Sequence, residues 1–428
     1  MSLAHAPRAA LWKELRHAAL QMRRILWDTA KRGAQGASLS ASETDLLYGG
    51  LRSWGLTQVR LERLASRQPD PGLAALLSIV FGALRRQYRA PSTLVSQAVH
   101  AARDWAGPPG AAFVNAILRQ TLADPLGAAQ DLHHPMARWN APRWWIDRMH
   151  RSLGARAAGW LDQQQRSAPL TVRYIGPAHE RGPWIEGLRA QGVLAWPVGP
   201  AVPLAFHLVP ARPVTGLCGF AEGLFRVQDL SAQRCAGVLA LRPGQAIWDV
   251  CAAPGGKAFL LAEREVEVYA SDLSDARLER LRSDWRRIQG RLPGRVWAHA
   301  LDPLGPMAWP QDWPAQFDHL VLDLPCSASG IVRRHPEIPW KRSPEQLETL
   351  ARTQLGLIRA AWSRLKPGGE ALVVTCSVFS EEGEELVQRW QNEACHLERL
   401  SAPGLLIAEG ECVGDGFFLA RLRKPRST

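Results

Sequence analysis

Two cysteines carry the chemistry this chain can do. Cys326 lies in Val321-Leu-Asp-Leu-Pro-Cys-Ser-Ala-Ser-Gly330 and Cys376 in Leu372-Val-Val-Thr-Cys-Ser377, each just after a short apolar run of strand type. Upstream, Asp249-Val-Cys-Ala-Ala-Pro-Gly-Gly-Lys257 is a glycine turn of the kind that opens a nucleotide-like cofactor site. A thiolate beside such a cofactor suits covalent activation of an otherwise inert carbon. The C5 carbon of cytosine is such a centre. It is a poor nucleophile until a thiolate adds at C6 and makes C5 enamine-like; a base then removes the C5 proton and the thiol leaves. An exocyclic amino group needs no thiol, because its nitrogen lone pair attacks directly once positioned. Two cysteines at the carboxyl ends of adjacent predicted strands therefore point to a ring carbon. From spacing alone, either thiol could be the one that attacks.

The other cysteines read differently. Cys218, Cys235, Cys395 and Cys412 are expected to be small buried hydrophobes. Cys251, inside the glycine turn, is expected to pack and to meet the cofactor through its backbone. There is no Cys-x-x-Cys pair and no Cys/His cluster of zinc spacing, so no metal site is expected. Scattered, odd-numbered cysteines suit a reducing, cytoplasmic compartment.

On the cofactor side, Gly255 and Gly256 let backbone approach a ligand closely, and Pro254 fixes the turn. The spaced phosphate glycines of a dinucleotide fingerprint are missing, and Lys257 is followed by Ala258 rather than Ser or Thr. A cofactor without phosphates is favoured over NAD or ATP. Asp249, Asp272, Asp302 and Asp323 all fall at predicted strand ends, where Asp272 is placed to accept ribose hydroxyls. An adenosine-bearing ligand with a methionine-like tail fits this set.

The elements that must position these groups fall into three parts. Residues 1–130 show helical periodicity with almost no strand signal, including a helix start at Pro91 and a turn at Gly107-Pro-Pro-Gly110. Residues 131–225 combine a Trp/His/Arg-rich joining stretch, read as amphipathic helices rather than a base-stacking platform, with a small α+β subdomain from Pro169 to about 220. Residues 226–428 alternate strand and helix, which implies an α/β domain with a mostly parallel sheet, helices on both faces and the ligand at the strands' carboxyl ends. The turn Lys366-Pro-Gly-Gly369 is expected to end the long helix that opens near Ser343.

At 428 residues, 46% of them hydrophobic, the chain can bury the cores of two or three domains. Its 52 Lys and Arg against 40 Asp and Glu give a net charge of +12, which favours a polyanionic partner, most simply nucleic acid. No apolar run reaches the roughly 18 residues of a membrane span, and the N-terminus lacks a signal-peptide pattern. Arg333, Arg334, His335, Trp340, Lys341 and Arg342 follow the Pro-Cys turn directly, as basic and aromatic groups that could grip RNA phosphates and an extruded base.

These motifs resemble the RNA cytosine-5 methyltransferases. The likeness rests on Asp249–Lys257, Asp323-Leu-Pro-Cys-Ser-Ala-Ser-Gly330, Arg333-Arg-His-Pro-Glu337 and Thr375-Cys-Ser-Val378, with Phe225-Arg-Val-Gln-Asp-Leu-Ser-Ala-Gln233 and Gly414-Asp-Gly-Phe-Phe-Leu-Ala420. It is nearest the bacterial 16S rRNA branch (the RsmB/Sun/Fmu type), whose NusB-like RNA-binding domain the helical N-terminus resembles, most clearly at Phe113-Val-Asn-Ala-Ile-Leu-Arg119. The resemblance implies a Rossmann-like domain using S-adenosylmethionine. It implies that Cys376 is the nucleophile, that Cys326 assists product release, and that Asp323 lies between cofactor and base. Cys251, Ala252, Ala253, Pro254, Gly255, Gly256 and Lys257 would wrap the methionine part, Asp272 would bind the ribose and Asp302 the adenine. The implied substrate is 16S rRNA, met by a cytoplasmic monomer. A tRNA cytosine-5 methyltransferase and a non-catalytic RNA-binding assembly factor are the alternatives. The chain departs from the family at Ala328, where a glycine is usual and its loss is expected to stiffen the substrate loop, and at Val172-Arg-Tyr174.

Overall fold

The computed structural model describes residues 10–27, 39–305, 309–394, 397–407 and 414–426. Two compact units are present: one comprises Met1–Ser167 with Val332–Ser343, the other Ala168–Ile331 with Pro344–Thr428. The division differs from the three parts expected. Residues 131–167 belong to the helical unit, and so does the short basic stretch after the Pro-Cys turn.

The helical unit begins with α1 (Leu11–Trp27), α2 (Ala41–Leu51), α3 (Trp54–Leu64), α4 (Pro71–Arg85) and α5 (Pro91–Ala123). Local sequence explains the starts. Ser40 and Glu43 form a reciprocal capping box before α2, and Asp70 caps α4 ahead of Pro71. Apolar on nearly every side, α4 is the buried centre of the unit, with Leu76, Leu77, Ile79, Val80 and Phe81 fully covered. The expected turn at Gly107 is a kink inside α5, at Ala106 and Gly107, just before Pro108 and Pro109. Within the Trp-rich stretch, Trp145 and Trp160 are core residues and Trp139 Nε1 donates to Asp162 at 2.8 Å. These contacts are those of amphipathic helices packed by their tryptophans.

The second unit starts with β1 (Leu170–Tyr174), β2 (Leu194–Pro197), β3 (Ala205–Val209) and β4 (Phe225–Val227), an antiparallel sheet of order β2-β3-β1-β4. Trp184 and Leu188, from the helix Arg181–Ala190, pack onto it. The subdomain thus runs to Val227, taking in residues expected to open the next domain.

The main sheet contains β5 (Ala246–Asp249), β6 (Glu267–Asp272), β7 (Arg295–Ala300), β8 (Phe317–Asp323), β9 (Leu365–Thr375), β10 (Glu398–Leu406) and β11 (Phe417–Arg423). Their order is β10-β11-β9-β8-β5-β6-β7. From β7 to β9 all neighbours are parallel, whereas β11 and β10 add antiparallel at one edge. Side chains alternate as a two-sided core requires. Ile247, Val268, Ala270, Val321, Leu372, Val374 and Leu419 enter one layer; Trp248, Tyr269, Leu320, Leu322, Ala371, Val373 and Ala420 enter the other. The long helix ends at Trp362, and Lys366–Gly369 lies within β9, where the Gly368 N–H donates to Lys424. Because β5 is followed by β6 on one side but lies against β8 on the other, the carboxyl ends of β5 and β8 border the topological switch point, where open α/β sheets hold ligands.

Candidate active site

Asp249 ends β5 and Asp323 ends β8, its immediate neighbour. The glycine turn follows β5 and leads into the helix Gly256–Ala262. Gly255 has φ of +101°, and a Cβ there would lie 2.6 Å from the ring of Phe259. No other residue type makes this turn without moving that core ring. The turn swings Lys257 back over the sheet edge, so that its Nζ meets Asp323 Oδ2 at 2.6 Å. Burial works against the ammonium, but the charge of Asp323 and their hydrogen bond outweigh it and hold the lysine protonated.

Asp249 is the counterpart in debt. It is fully buried, and neither carboxylate oxygen has a hydrogen-bond partner of good geometry. Burial, then the charge of Asp323, pushes its carboxyl up to about 8, with the Ala258 backbone N–H acting in the opposite sense. Asp272, at the end of β6, is also buried. Its Oδ1 accepts from the Ser274 N–H at 3.0 Å, and Arg277 lies 3.2 Å from Oδ2, which has no well-aligned hydrogen bond. Polar atoms left this way beside a glycine turn fit a ligand with a cationic amine and paired hydroxyls. Asp302 differs: it is exposed beyond the edge strand β7, and its Oδ1 accepts from the Leu304 N–H at 2.9 Å. Burial drives the Cys251 thiol up, so it stays a thiol. Cys235 is a core residue, Cys218 is half-buried, and Cys395 and Cys412 lie outside the described residues.

Several residues around the turn were not singled out as site residues in the sequence. The Arg277 guanidinium donates to the Ala253 carbonyl at 2.5 Å while it pairs with Asp272, so it braces the turn against β6. Gln228 Nε2 donates to the Gly256 carbonyl at 2.8 Å, and the Arg226 guanidinium stacks 4.3 Å from the ring of Phe259. Both belong to the Phe225–Gln233 motif, whose meaning becomes visible only here. The same motif reaches the Gly414–Ala420 motif: Asp229 Oδ1 accepts from the Asp415 N–H at 3.0 Å, and Ser231 Oγ donates to the Asp415 carbonyl at 2.7 Å.

The thiols come together because β8 and β9 are parallel neighbours and each cysteine follows its strand end. Cys326 Sγ and Cys376 Sγ are 3.3 Å apart. Cys326 is buried, at 9% exposure, and Cys376 is half-buried. Hydrogen bonding with Cys376, followed by burial and nearby negative charge, raises the Cys326 thiol well above its ordinary range. Ala328 adopts φ of +63° in the turn after Cys326. Next to it, a Cβ on Gly330 would lie 1.9 Å from the Gly416 carbonyl oxygen, while the Gly330 N–H donates to the Cys376 carbonyl at 3.0 Å.

The basic stretch does not present itself as the sequence suggested. Arg333 is 2% exposed; its N–H donates to Gln164 Oε1 at 3.0 Å and its carbonyl accepts from Arg52 at 3.1 Å. It anchors the segment in the helical unit and offers no surface charge. Trp340 is committed too, donating from Nε1 to the Asn140 carbonyl at 2.9 Å and packing edge-on to Trp54. Only His335 and Lys341 are exposed, with Arg334 half-buried. Among the described residues, no group of three or more His, Cys, Asp or Glu could hold a metal, and no helix is long and apolar enough to cross a membrane.

Comparison with known proteins shows what the chain resembles. A family model described as 16S rRNA methyltransferase RsmB/F matches residues 236–423. The ribosomal RNA small subunit methyltransferase B of Salmonella paratyphi C is 32% identical over 89% of this chain and 89% of its own length. Its namesake from Cronobacter sakazakii is 32% identical over 73% of each. Among solved structures, PH0851 matches with a TM-score of 0.76 at 22% identity, covering 97% of this chain and 99% of that one. NSun6 from Pyrococcus horikoshii with SFG matches at 0.56 and 19% identity, covering 67% and 99%. At these identities the two structures speak for the fold alone.

Proposed function

The chain belongs to the RsmB/F family of 16S rRNA methyltransferases, and from that premise we propose that it methylates C5 of a cytosine in 16S rRNA through a transient bond between Cys376 and C6 of the base. The observation that carries this reading is the pair of thiols 3.3 Å apart at the ends of adjacent strands, next to the Lys257–Asp323 pair.

S-adenosylmethionine is the cofactor the site suits, and when bound it would supply an electrophilic methyl group. The backbone of Cys251–Lys257 would cradle its methionine part, the unpartnered carboxyl of Asp249 would face the cationic amine, and Asp272 would accept the ribose hydroxyls. Asp302, beyond β7, is the proposed contact to the adenine.

In this mechanism Cys376 attacks as the thiolate. Its Sγ bonds to C6 and electron density moves to C5, which becomes able to accept the methyl group. Asp323, paired with Lys257, is the proposed contact to the ring, and the Lys257 ammonium would offset the negative charge that thiolate addition puts on the base. Afterwards C5 gives up its proton to a base, the Sγ–C6 bond breaks, and Cys376 leaves as a thiolate. Cys326, kept in its thiol form, can donate a hydrogen bond to that departing sulfur, which is how it would assist release. Arg334, His335 and Lys341 are the proposed RNA contacts; buried Arg333 instead holds their segment in place.

Bisulfite mapping of total RNA from cells with and without the gene tests the reading. One 16S rRNA cytosine should lose its protection in the deletion. A change confined to tRNA would move the substrate to that class, and no change at any RNA cytosine would sink the proposal.

A further inference from the structure

Between the two thiol turns lies a buried carboxylate that no step above uses. Glu382 is fully buried at the end of the short 3-10 helix Ser380–Glu382. Its Oε1 accepts from the Ser327 N–H at 2.8 Å and from Gln354 Nε2 at 3.1 Å; its Oε2 accepts from Ser327 Oγ at 2.5 Å. The same Gln354 Nε2 donates to the Pro325 carbonyl at 2.9 Å. Both neighbours of Cys326 are thereby held. On the other side, Thr375 Oγ1 donates to the Glu382 carbonyl at 3.0 Å, just before Cys376. Three serines complete the seam: Ser377 Oγ lies 2.8 Å from Ser329 Oγ and 3.3 Å from Ser327 Oγ, and Ser329 Oγ accepts from the Val378 N–H at 2.9 Å.

A carboxylate in the interior is costly unless hydrogen bonds compensate it, and three charge-assisted ones do so here. The turn it grips includes Ala328 at φ of +63°, a conformation that persists in a non-glycine residue only when its surroundings over-determine it.

We propose that Glu382 is the positioning residue of the thiol pair: by clamping Ser327 and Gln354 it fixes the turn bearing Cys326 against the strand end bearing Cys376. This rests on the thiol chemistry proposed above. Its negative charge has a second effect, adding to the forces that keep Cys326 protonated.

The test is Glu382→Gln, which keeps the shape, removes the charge and turns one acceptor into a donor facing other donors. A misplacement of about 1 Å between reacting groups costs on the order of 100-fold in kcat, so a fall of that size is expected with KM for S-adenosylmethionine unchanged. Two readouts need no RNA. Alkylation of Cys326 by iodoacetamide, followed against pH by mass spectrometry, should shift to lower pH once the charge is gone. Diamide, which takes two electrons and two protons from a thiol pair as the Sγ–Sγ bond forms, should cross-link Cys326 to Cys376 more slowly than in the wild type. A folded variant with wild-type kcat and an unmoved alkylation profile would overturn the proposal. Should Glu382→Gln fail to fold, Gln354→Leu removes one clamp without touching the charge; a folded Gln354→Leu protein with unchanged kcat and cross-linking would overturn it equally. Cys376→Ala is assayed alongside. If that variant still methylates RNA, the covalent mechanism fails, whereas an inactive Cys376→Ala beside an unaffected Glu382→Gln rejects the positioning role alone.

Discussion

Replacing Asp249 by Asn tests the electrostatics of the cofactor end of the site. In the fold the carboxyl is pushed up to about 8, first by burial and then by the charge of Asp323, against an ordinary value of 3.8. Between those two values the unfolded chain gives up its proton while the folded chain keeps it. The folded state then binds more protons, so stability falls as pH rises, by about 1.4 kcal/mol per unit, and levels off above pH 8. Across the whole window this amounts to on the order of 3–6 kcal/mol, the lower figure allowing for relaxation around a buried charge. Asparagine has nearly the same shape and no proton to lose, so it lacks the slope. Urea titrations of the cofactor-free protein at about pH 5.5, 7 and 8.5 should show the Asn variant gaining on the wild type by roughly 1 kcal/mol per pH unit. A difference that stays flat would refute the reasoning and show Asp249 ionised in the fold, paired with Lys257. The same substitution should weaken S-adenosylmethionine binding by about tenfold or more, measured by calorimetry, because a cationic amine beside Asp249 would draw the carboxyl into its ionised form and an amide has no such form.

Other substitutions separate roles that the geometry assigns. Cys326→Ala should accumulate an RNA–protein adduct stable to denaturing electrophoresis, while Cys376→Ala should form none; the opposite pattern would exchange the two roles. Ala328→Gly should raise stability by about 0.5–1 kcal/mol in urea titrations, since relief of the φ of +63° exceeds the extra chain entropy of glycine. A loss of stability there would mean that the turn carries no strain. Arg334→Ala combined with Lys341→Ala should reduce the salt slope of RNA binding by about 1–2 units. Arg333→Ala should leave that slope alone and instead cost about 1–3 kcal/mol of stability, as expected of a buried anchor.

Much of the site was legible in the sequence because its signals are local. A glycine turn after one apolar run, and a cysteine after each of two others, need only the chain's own neighbours to be recognised. The short, nearly continuous apolar runs in Ala246–Val250 and Leu372–Val374 likewise report strands packed on both faces. What the sequence could not supply were relations between distant segments. It placed both thiols at strand ends, but only the pairing of β8 with β9 brings their sulfurs to 3.3 Å. It marked Arg333 as a cation next to the Pro-Cys turn, whereas tertiary packing buries that residue against Gln164. It left Glu382 as one acid in the run Glu381-Glu382-Gly-Glu-Glu385, with nothing to distinguish it from a solvated charge. Burial decides such cases, and burial is a property of everything that surrounds a residue. The sequence by itself thus determined the chemical groups and the kind of fold, since types and periodicities are written along the chain. The tertiary structure alone decided which cation faces solvent, which acid is buried without a well-aligned partner and which carboxylate joins the two cysteines, because each depends on contacts from residues far away in sequence.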